Sequence, residues 1–292
     1  MANGMKANDV RDMVAGTLAK LMDEADPKAW VMPWFNGSGL PTNAKTGNQY
    51  HGGNVWSLLL GADVAGHSSQ YWATYRQWAD LGRQVSKGEK ATYGVKWVFP
   101  TEEEKAKDPN KRAFPKAFAV HNFSQSEPLT DDGTAWTEPI KETGTAETIA
   151  TAEAYVVATN AVVKLDANRA YYNPTDDAIS LPALESFRST EGYYGTLLHE
   201  LTHWAGNARR LARDCARDYH NDKQARAREE LVAELGAAML CGTLGITQEP
   251  REDHAQYLKS WSALLANDSG AFWTAAALAD KSSVYLDGMV AG

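Results

Sequence analysis

The sequence predicts an α+β protein of two domains, a small α+β domain followed by a mostly helical one. Three observations predict it. The stretch QSEPLTDDGTAWTEPIKETGTAET, residues 125–148, is rich in Thr, Glu, Pro and Gly, lacks apolar periodicity and reads as an exposed linker. Turn signals and paired strand-like runs lie before it, and helical periodicity dominates after it. The expected boundaries are 1–125 for the first domain, 126–148 for the linker and 149–292 for the second domain.

In the first domain, Asn8 or Asp9 can cap a helix in which Val10, Met13, Val14, Leu18 and Leu21 recur at helical spacing. The breakers of PWFNGSGLPTNAKTGNQYHGGN then exclude long regular elements. A helix is expected over SSQYWATYRQWADLG, stopped by Gly82. VSKGEKATYGVKWVF reads as a turn at Lys87-Gly88 leading into a strand, with AFAVHNF as its partner. In the second domain AETIATAEAYVVATNAVV reads as a helix and AYYNPTDDAISLP as a strand or hairpin. Helices follow over residues 190–205, 226–242 and about 253–280.

Composition limits the class of protein. With 43% hydrophobic and 23% charged residues the chain is that of a soluble globular protein, and no apolar run approaches a membrane span. No membrane partner is expected. MANGMKANDV lacks a basic stretch followed by an apolar one, so no secretory signal is visible. Cys215 and Cys241 are too few for a disulfide scaffold and are not spaced as CxxC, which suggests two reduced thiols and a cytoplasmic location. The net charge of −8 argues against nucleic acid as a partner, but it is unevenly spread. Residues 1–125 hold 15 Lys and Arg against 12 Asp and Glu, and the remainder holds 14 against 25. Only the first half can attract phosphate.

GTLLHELTHWAGN, residues 195–207, carries the chemistry. On a helix His199 and His203 share a face and can grip one cation, with Glu200 beside them to act on a bound water. Leu197, Leu198 and Leu201 supply the apolar side, Ser189 or Thr190 can cap the start, and Gly206 follows as a C-terminal stop. A catalytic tetrahedral site needs a third protein ligand. AREELVAELGAAML offers Glu230, with Glu229 as the neighbouring alternative, and Glu234 one turn on can orient a histidine. A His/His/Glu set suits one zinc ion and also accepts manganese, cobalt or nickel. Helices around an HExxH with one strand segment have the layout of a zincin.

The first half shows a different pattern. Six of the ten tryptophans lie within residues 1–125. Lys45, Arg76, Arg83, Lys87, Lys90 and Lys96 interleave with Trp34, Tyr50, Trp56, Trp72, Tyr75 and Tyr93. Aromatic faces that stack bases and cations that follow a backbone are how single-stranded nucleic acid is held without sequence preference. Glycines at 47, 52, 53 and 88 would let a backbone approach phosphate closely.

HELTH, EELVAELGAAML and AYYNPTDDAISLP together resemble the gluzincin-type metallopeptidase domain of the ArdC-type antirestriction proteins. Pro33-Trp34, GLPTNAKTGNQYHGGNVWSL, YWATYRQWADLG and VSKGEKATYGVKW are similar to that family's single-stranded-DNA-binding domain, in the family's order. The resemblance implies binding of single-stranded DNA, and of duplex less well. It also implies shielding of incoming plasmid DNA from host restriction endonucleases. Cleavage of a DNA-bound protein is the alternative use of the same parts, with Glu200 as general base.

Overall fold

The computed structural model describes residues 5–24, 39–139, 145–166, 169–247 and 254–291. α1 (Ala7–Glu24) forms where the apolar periodicity places it, starting just before the expected cap. Val10, Val14 and Leu18 are buried and Met13 is exposed, so the apolar stripe is narrower than the five positions suggested. Two compact units result: residues up to Val14 with Pro41–Glu138, and Ala15–Leu40 with Pro139–Gly292.

The first unit is built on a four-stranded sheet of order β1-β2-β5-β4. Its elements in chain order are β1 (Thr42–Asn43), α2 (Gly53–Ala65), β2 (Tyr71–Ala73), α3 (Tyr75–Asp80), β3 (Arg83–Val85), β4 (Thr92–Val98), α4 (Glu102–Lys107), β5 (Phe114–Asn122) and β6 (Ser126–Pro128). The strands read as a pair do pair, antiparallel, with Lys96 opposite Lys116 and Trp97 opposite Pro115. Gly88, at φ 94°, makes the turn before β4. One helix has no counterpart in the sequence reading, and one reading needs correction. α2 carries a nearly continuous apolar run, VWSLLLGA, without the stripe that announces an amphipathic helix, and it is buried on most sides. Residues 71–73, expected to be helical, are a strand, because the Thr74 side chain and Gln77 form a reciprocal cap that starts α3 only there. Gly82, at φ 73°, ends that segment as expected.

The linker also needs correction. β6 pairs with β3, Leu129 N–H donates to Gly82 at 2.9 Å and Trp136 N–H to Leu81 at 2.9 Å. The Trp136 ring packs against Trp78, Phe123 and Tyr71. Residues 126–138 therefore belong to the first unit, held by a three-residue strand and one aromatic anchor that leave no periodic trace in the sequence.

The second unit is mostly helical. α5 (Thr145–Ala158) stops five residues before the helix expected there, because Asn160 adopts φ 57° and the chain enters β7 (Val162–Leu165). β8 (Tyr171–Asn173) and β9 (Ala178–Leu181) form the expected hairpin, and β9 also pairs in parallel with β7, giving the sheet order β7-β9-β8. A three-stranded sheet stands where the sequence suggested one strand segment. α6 (Thr190–Ala205), α7 (Asp214–Arg217), α8 (Lys223–Leu244), α9 (His254–Asn267) and α10 (Ser269–Ala291) follow. The single helix expected near 253–280 is two, with Asp268 between them. Leu198 and Leu201 of α6, Ile179 and Leu181 of β9, and Ala237 and Leu240 of α8 form one buried core. Among the described residues no helix is long and apolar enough to cross a membrane.

Candidate functional site

α6 and α8 build the site. Ser189 caps α6, its Oγ accepting the Gly192 N–H at 2.9 Å, and Asp222 caps α8 by accepting the Gln224 N–H at 2.8 Å. The helices approach closely because Gly236 lies against Thr202. A Cβ at Gly236 would stand 2.5 Å from the Thr202 methyl. That contact sets the distance between the histidine face of α6 and the carboxylate face of α8.

His199 and His203 lie one turn apart, with ring centroids separated by 4.9 Å. His199 Nε2 is 3.5 Å from Glu230 Oε2, and His203 Nε2 is 3.9 Å from Glu230 Oε1. One ligand atom from each of the three residues lies within 4.8 Å of the others. Ligands bound about 2.1 Å from a tetrahedral ion stand about 3.4 Å apart, so a small contraction brings this set onto one divalent cation. The donor set also fits: two imidazoles and a carboxylate, with each histidine's other nitrogen facing a separate carboxylate. His203 Nδ1 is 3.0 Å from Glu229 Oε1, and His199 Nδ1 is 3.4 Å from Glu234 Oε2. The hydrogen bond to Glu229 favours Nδ1 as the protonated nitrogen of His203 and leaves its Nε2 as the ligating lone pair, and Glu234 approaches His199 Nδ1 from the same side of the pair.

Electrostatics agree with that assignment. Burial pushes the Glu230 carboxyl up, but His199, His203 and a hydrogen bond from the Tyr219 hydroxyl outweigh it and hold the group at about 2. Glu230 is thus an anion ready to bind a cation. Glu229, the alternative third ligand, does not join the triad. Burial raises its carboxyl too, but His203 and Arg213 hold it below the usual carboxylate range. Its oxygens are engaged by His203, by the Arg213 fork and by the Cys215 thiol, which donates at 3.0 Å. Rotation by one position on α8 turns the side chain toward Arg213 instead. Glu200, next to His199 on α6, is 5% exposed.

Arg213 is the residue that sequence reading missed. Its Nε donates to Glu229 at 3.0 Å, its Nη2 to the Thr202 carbonyl at 2.8 Å, and its Nη1 to Ser282 at 2.6 Å. Gly206 is explained by it. Gly206 has φ −75°, so it is no left-handed cap, and a Cβ there would run into the Arg213 guanidinium. No local motif marks an arginine whose partners lie on three other segments. Tyr219 was likewise unsignalled.

The residues read as facing DNA divide sharply. Lys45, Tyr75, Arg76, Lys87 and Lys90 are exposed. Tyr75 and Lys87 line one open cleft of about 480 Å³ with Gln84, Gly88 and His121, and Glu89 and Glu127 line it too. Trp56 and Trp72 are corrections: both are fully buried, Trp72 against Leu58 and Val120, and offer no ring face to a base. Arg83 is a correction as well, since its guanidinium is spent on Ser126 and the Trp136 carbonyl. Tyr50 is half-buried, stacked on Phe118, its hydroxyl accepting from Asn43 at 3.0 Å. Trp34 lies outside the described residues. Tryptophans spent on burial, Trp56 at 0% and Trp72 at 1% exposure, account for the mistaken readings.

Comparison with known proteins adds the following. Residues 8–123 match the model of the N-terminal domain of anti-restriction factor ArdC, and residues 150–278 match that of a zincin-like metallopeptidase. The chain is 34% identical over 269 residues to the uncharacterized protein y4eC of Sinorhizobium fredii, covering 88% of this chain and 85% of that one. It is also 34% identical over 288 residues to a DNA primase TraC of Escherichia coli, of which it spans only 19%. Crystal structures of the antirestriction protein ArdC from plasmid R388 superpose with TM-scores of 0.78 (metal-free) and 0.77 (Mn(II)-bound) at 33% identity. Both are matched over 97% of this chain, and over 98% and 99% of theirs.

Proposed function

Because the chain belongs to the ArdC antirestriction family, with that family's N-terminal domain joined to a zincin-like domain, we propose that it binds single-stranded DNA, and duplex more weakly, and protects incoming DNA from host restriction endonucleases. The likeness to the R388 antirestriction protein over nearly the whole of both chains carries this reading. Exposed Lys45, Tyr75, Arg76, Lys87 and Lys90 in the first unit support the DNA half, and the acidic second half makes the first the phosphate-facing one.

In the second unit His199, His203 and Glu230 hold one divalent metal. The zincin-like fold and the Mn(II)-bound relative support a divalent ion, and the donor set suits zinc or manganese. Bound there, such an ion supplies Lewis acidity and lowers the pKa of water. Glu229 and Glu234 face the imidazoles, and Glu200, beside His199 in the sequence, is assigned here the part of a general base that takes a proton from water and returns it to a leaving amine. The gathering of His199, His203 and Glu230 at one site of a zincin-like fold favours a second reading, cleavage of a DNA-bound protein.

The test is transfer of unmodified plasmid into a restricting host that expresses this chain, scored by transformants against an empty control, with a parallel anisotropy titration of a single-stranded oligonucleotide across salt. Protection and an affinity that falls steeply with salt are expected. Unchanged restriction at good expression would sink the reading.

A further inference from the structure

Resting on the single-stranded-DNA reading, we propose that Lys96 and Lys116 clamp a phosphate of the strand on the α2-side face of the β4–β5 pair, and that Phe114 stacks the neighbouring base. By the two-residue period of a strand, Thr92, Gly94 and Lys96 of β4 share one face with Val120, Phe118 and Lys116, their partners on β5. Val98 and Phe114 complete the same row.

α2 covers only part of that row. Gly61, in its second half, lies against Thr92, and Leu58 packs with Val120 and Phe118. At the start of the helix the Asn54 side chain reaches the backbone of Val95, accepting its N–H at 2.7 Å and donating to its carbonyl at 2.9 Å. α2 begins at Gly53, so the last two cross-strand pairs, Lys96–Lys116 and Val98–Phe114, run past its first turn. Both lysines are exposed there, and Phe114 is 49% exposed.

Charge selects the occupant. Side chains directly opposite in antiparallel strands have Cβ atoms about 5 Å apart, and like charges so placed repel unless an anion joins them. Neither lysine forms an ion pair among the described residues. The segment that joins the two strands, residues 99–113, carries four acids and four bases and so does not cancel the pair. Phe114 lies two residues from Lys116 on the same face, about 7 Å along the strand. Phe118, two residues inward, is already stacked on Tyr50, which leaves Phe114 as the ring open to a ligand. A free inorganic anion would use the lysines and leave that ring idle. A phosphate chain that carries bases uses both.

The experiment titrates the full chain into a fluorescent oligo-dT and follows anisotropy across salt. Lys96→Gln combined with Lys116→Gln should weaken binding roughly tenfold at low salt, the size of one hydrogen bond to a charged group. The slope of log affinity against log salt should fall by about 0.7, the share of one single-stranded phosphate. The thermal midpoint of that variant should not drop, because the change relieves a like-charge pair. Phe114→Ala should also cost roughly tenfold, the loss of one base–aromatic stack, and Phe114→Tyr should bind as wild type. Lys164→Gln, at an exposed strand lysine of the second unit, is the control and should leave the slope unchanged. If the wild type binds and the lysine and Phe114 variants match it, the strand lies elsewhere while the DNA reading survives. An equal loss of slope in the Lys164 variant would make the effect one of general charge and overturn the clamp. If the wild type does not bind, the DNA reading falls and the clamp with it.

Discussion

Arg213 and Glu229 are locked together behind the histidines, each side chain 1% exposed, and Glu229 in turn receives His203 Nδ1 at 3.0 Å. A buried ion pair is weak evidence of net stability, since two charges must leave water to form it. Its value here is positional. The planar guanidinium fixes both oxygens of Glu229, and Glu229 fixes the tautomer of a proposed metal ligand.

Arg213→Met should therefore cost far more than the pair contributes. The substitution strands a buried carboxylate, and breaking such pairs typically costs about 3–5 kcal/mol. Urea denaturation of apo protein measures this directly. Arg213→Lys keeps the charge without the fork and should fall between the two. A urea midpoint unmoved by Arg213→Met would show that Glu229 does not depend on it.

Ligand and positioning carboxylate should separate by metal content. Glu230→Gln should leave little metal after dialysis against trace ion. Glu229→Gln should retain it with affinity lowered about 10- to 100-fold, the usual range for groups that orient a ligand. Elemental analysis with a competitive chelator titration reads both. Equal loss in the two variants would place Glu229 in the coordination set.

Much of this was legible in the sequence for a common reason: the signals were local. The HELTH spacing, the Ser189 cap, the Lys87-Gly88 turn with its strand pair and the β8–β9 hairpin all depend on residues a few positions apart. What escaped was set by distant partners. α2 lacked a polar side because its surroundings are apolar, residues 126–138 are held by β3 and the Trp78 cluster, and Arg213 reaches Glu229, Thr202 and Ser282. Composition could count the tryptophans of the first half, but it could not divide core Trp56 and Trp72 from exposed Trp97.

The Asp177–Arg210 pair gives a pH signature away from the metal site. The hydrogen bond from Arg210, helped by one from Tyr172, holds Asp177 at about 2. The usual carboxylate value is about 3.9, so the folded value is depressed. Its contribution to stability is therefore complete above about pH 4 and is lost as pH falls through 4 toward 2. Asp177→Asn should show a lower thermal midpoint than wild type at pH 6 and converge with it near pH 2. Asp177 has φ 51°, which asparagine tolerates, so the substitution isolates the charge. A difference that stays constant from pH 6 to pH 2 would assign the effect to packing.

Glu200→Gln separates the two uses proposed for the second unit. The side chain is next to His199 but outside the His199–His203–Glu230 set, and glutamine has nearly the same shape, so fold and metal content should persist while the base is lost. The exposed candidate DNA-facing residues Lys45, Tyr75, Arg76, Lys87 and Lys90 lie in the first unit, so affinity for single-stranded DNA should match wild type. Shielding requires only occupancy of the DNA, and the variant should keep most of the protection of an incoming unmodified plasmid. Proteolysis requires the base, and any cleavage of a DNA-bound protein should fall by at least the 10²-fold typical of a lost general base. The measurement is transformant yield in a restricting host at matched expression, alongside metal content and anisotropy on the purified variant. Full loss of protection with DNA binding and metal intact would make peptide-bond cleavage the working function and DNA binding its means of delivery.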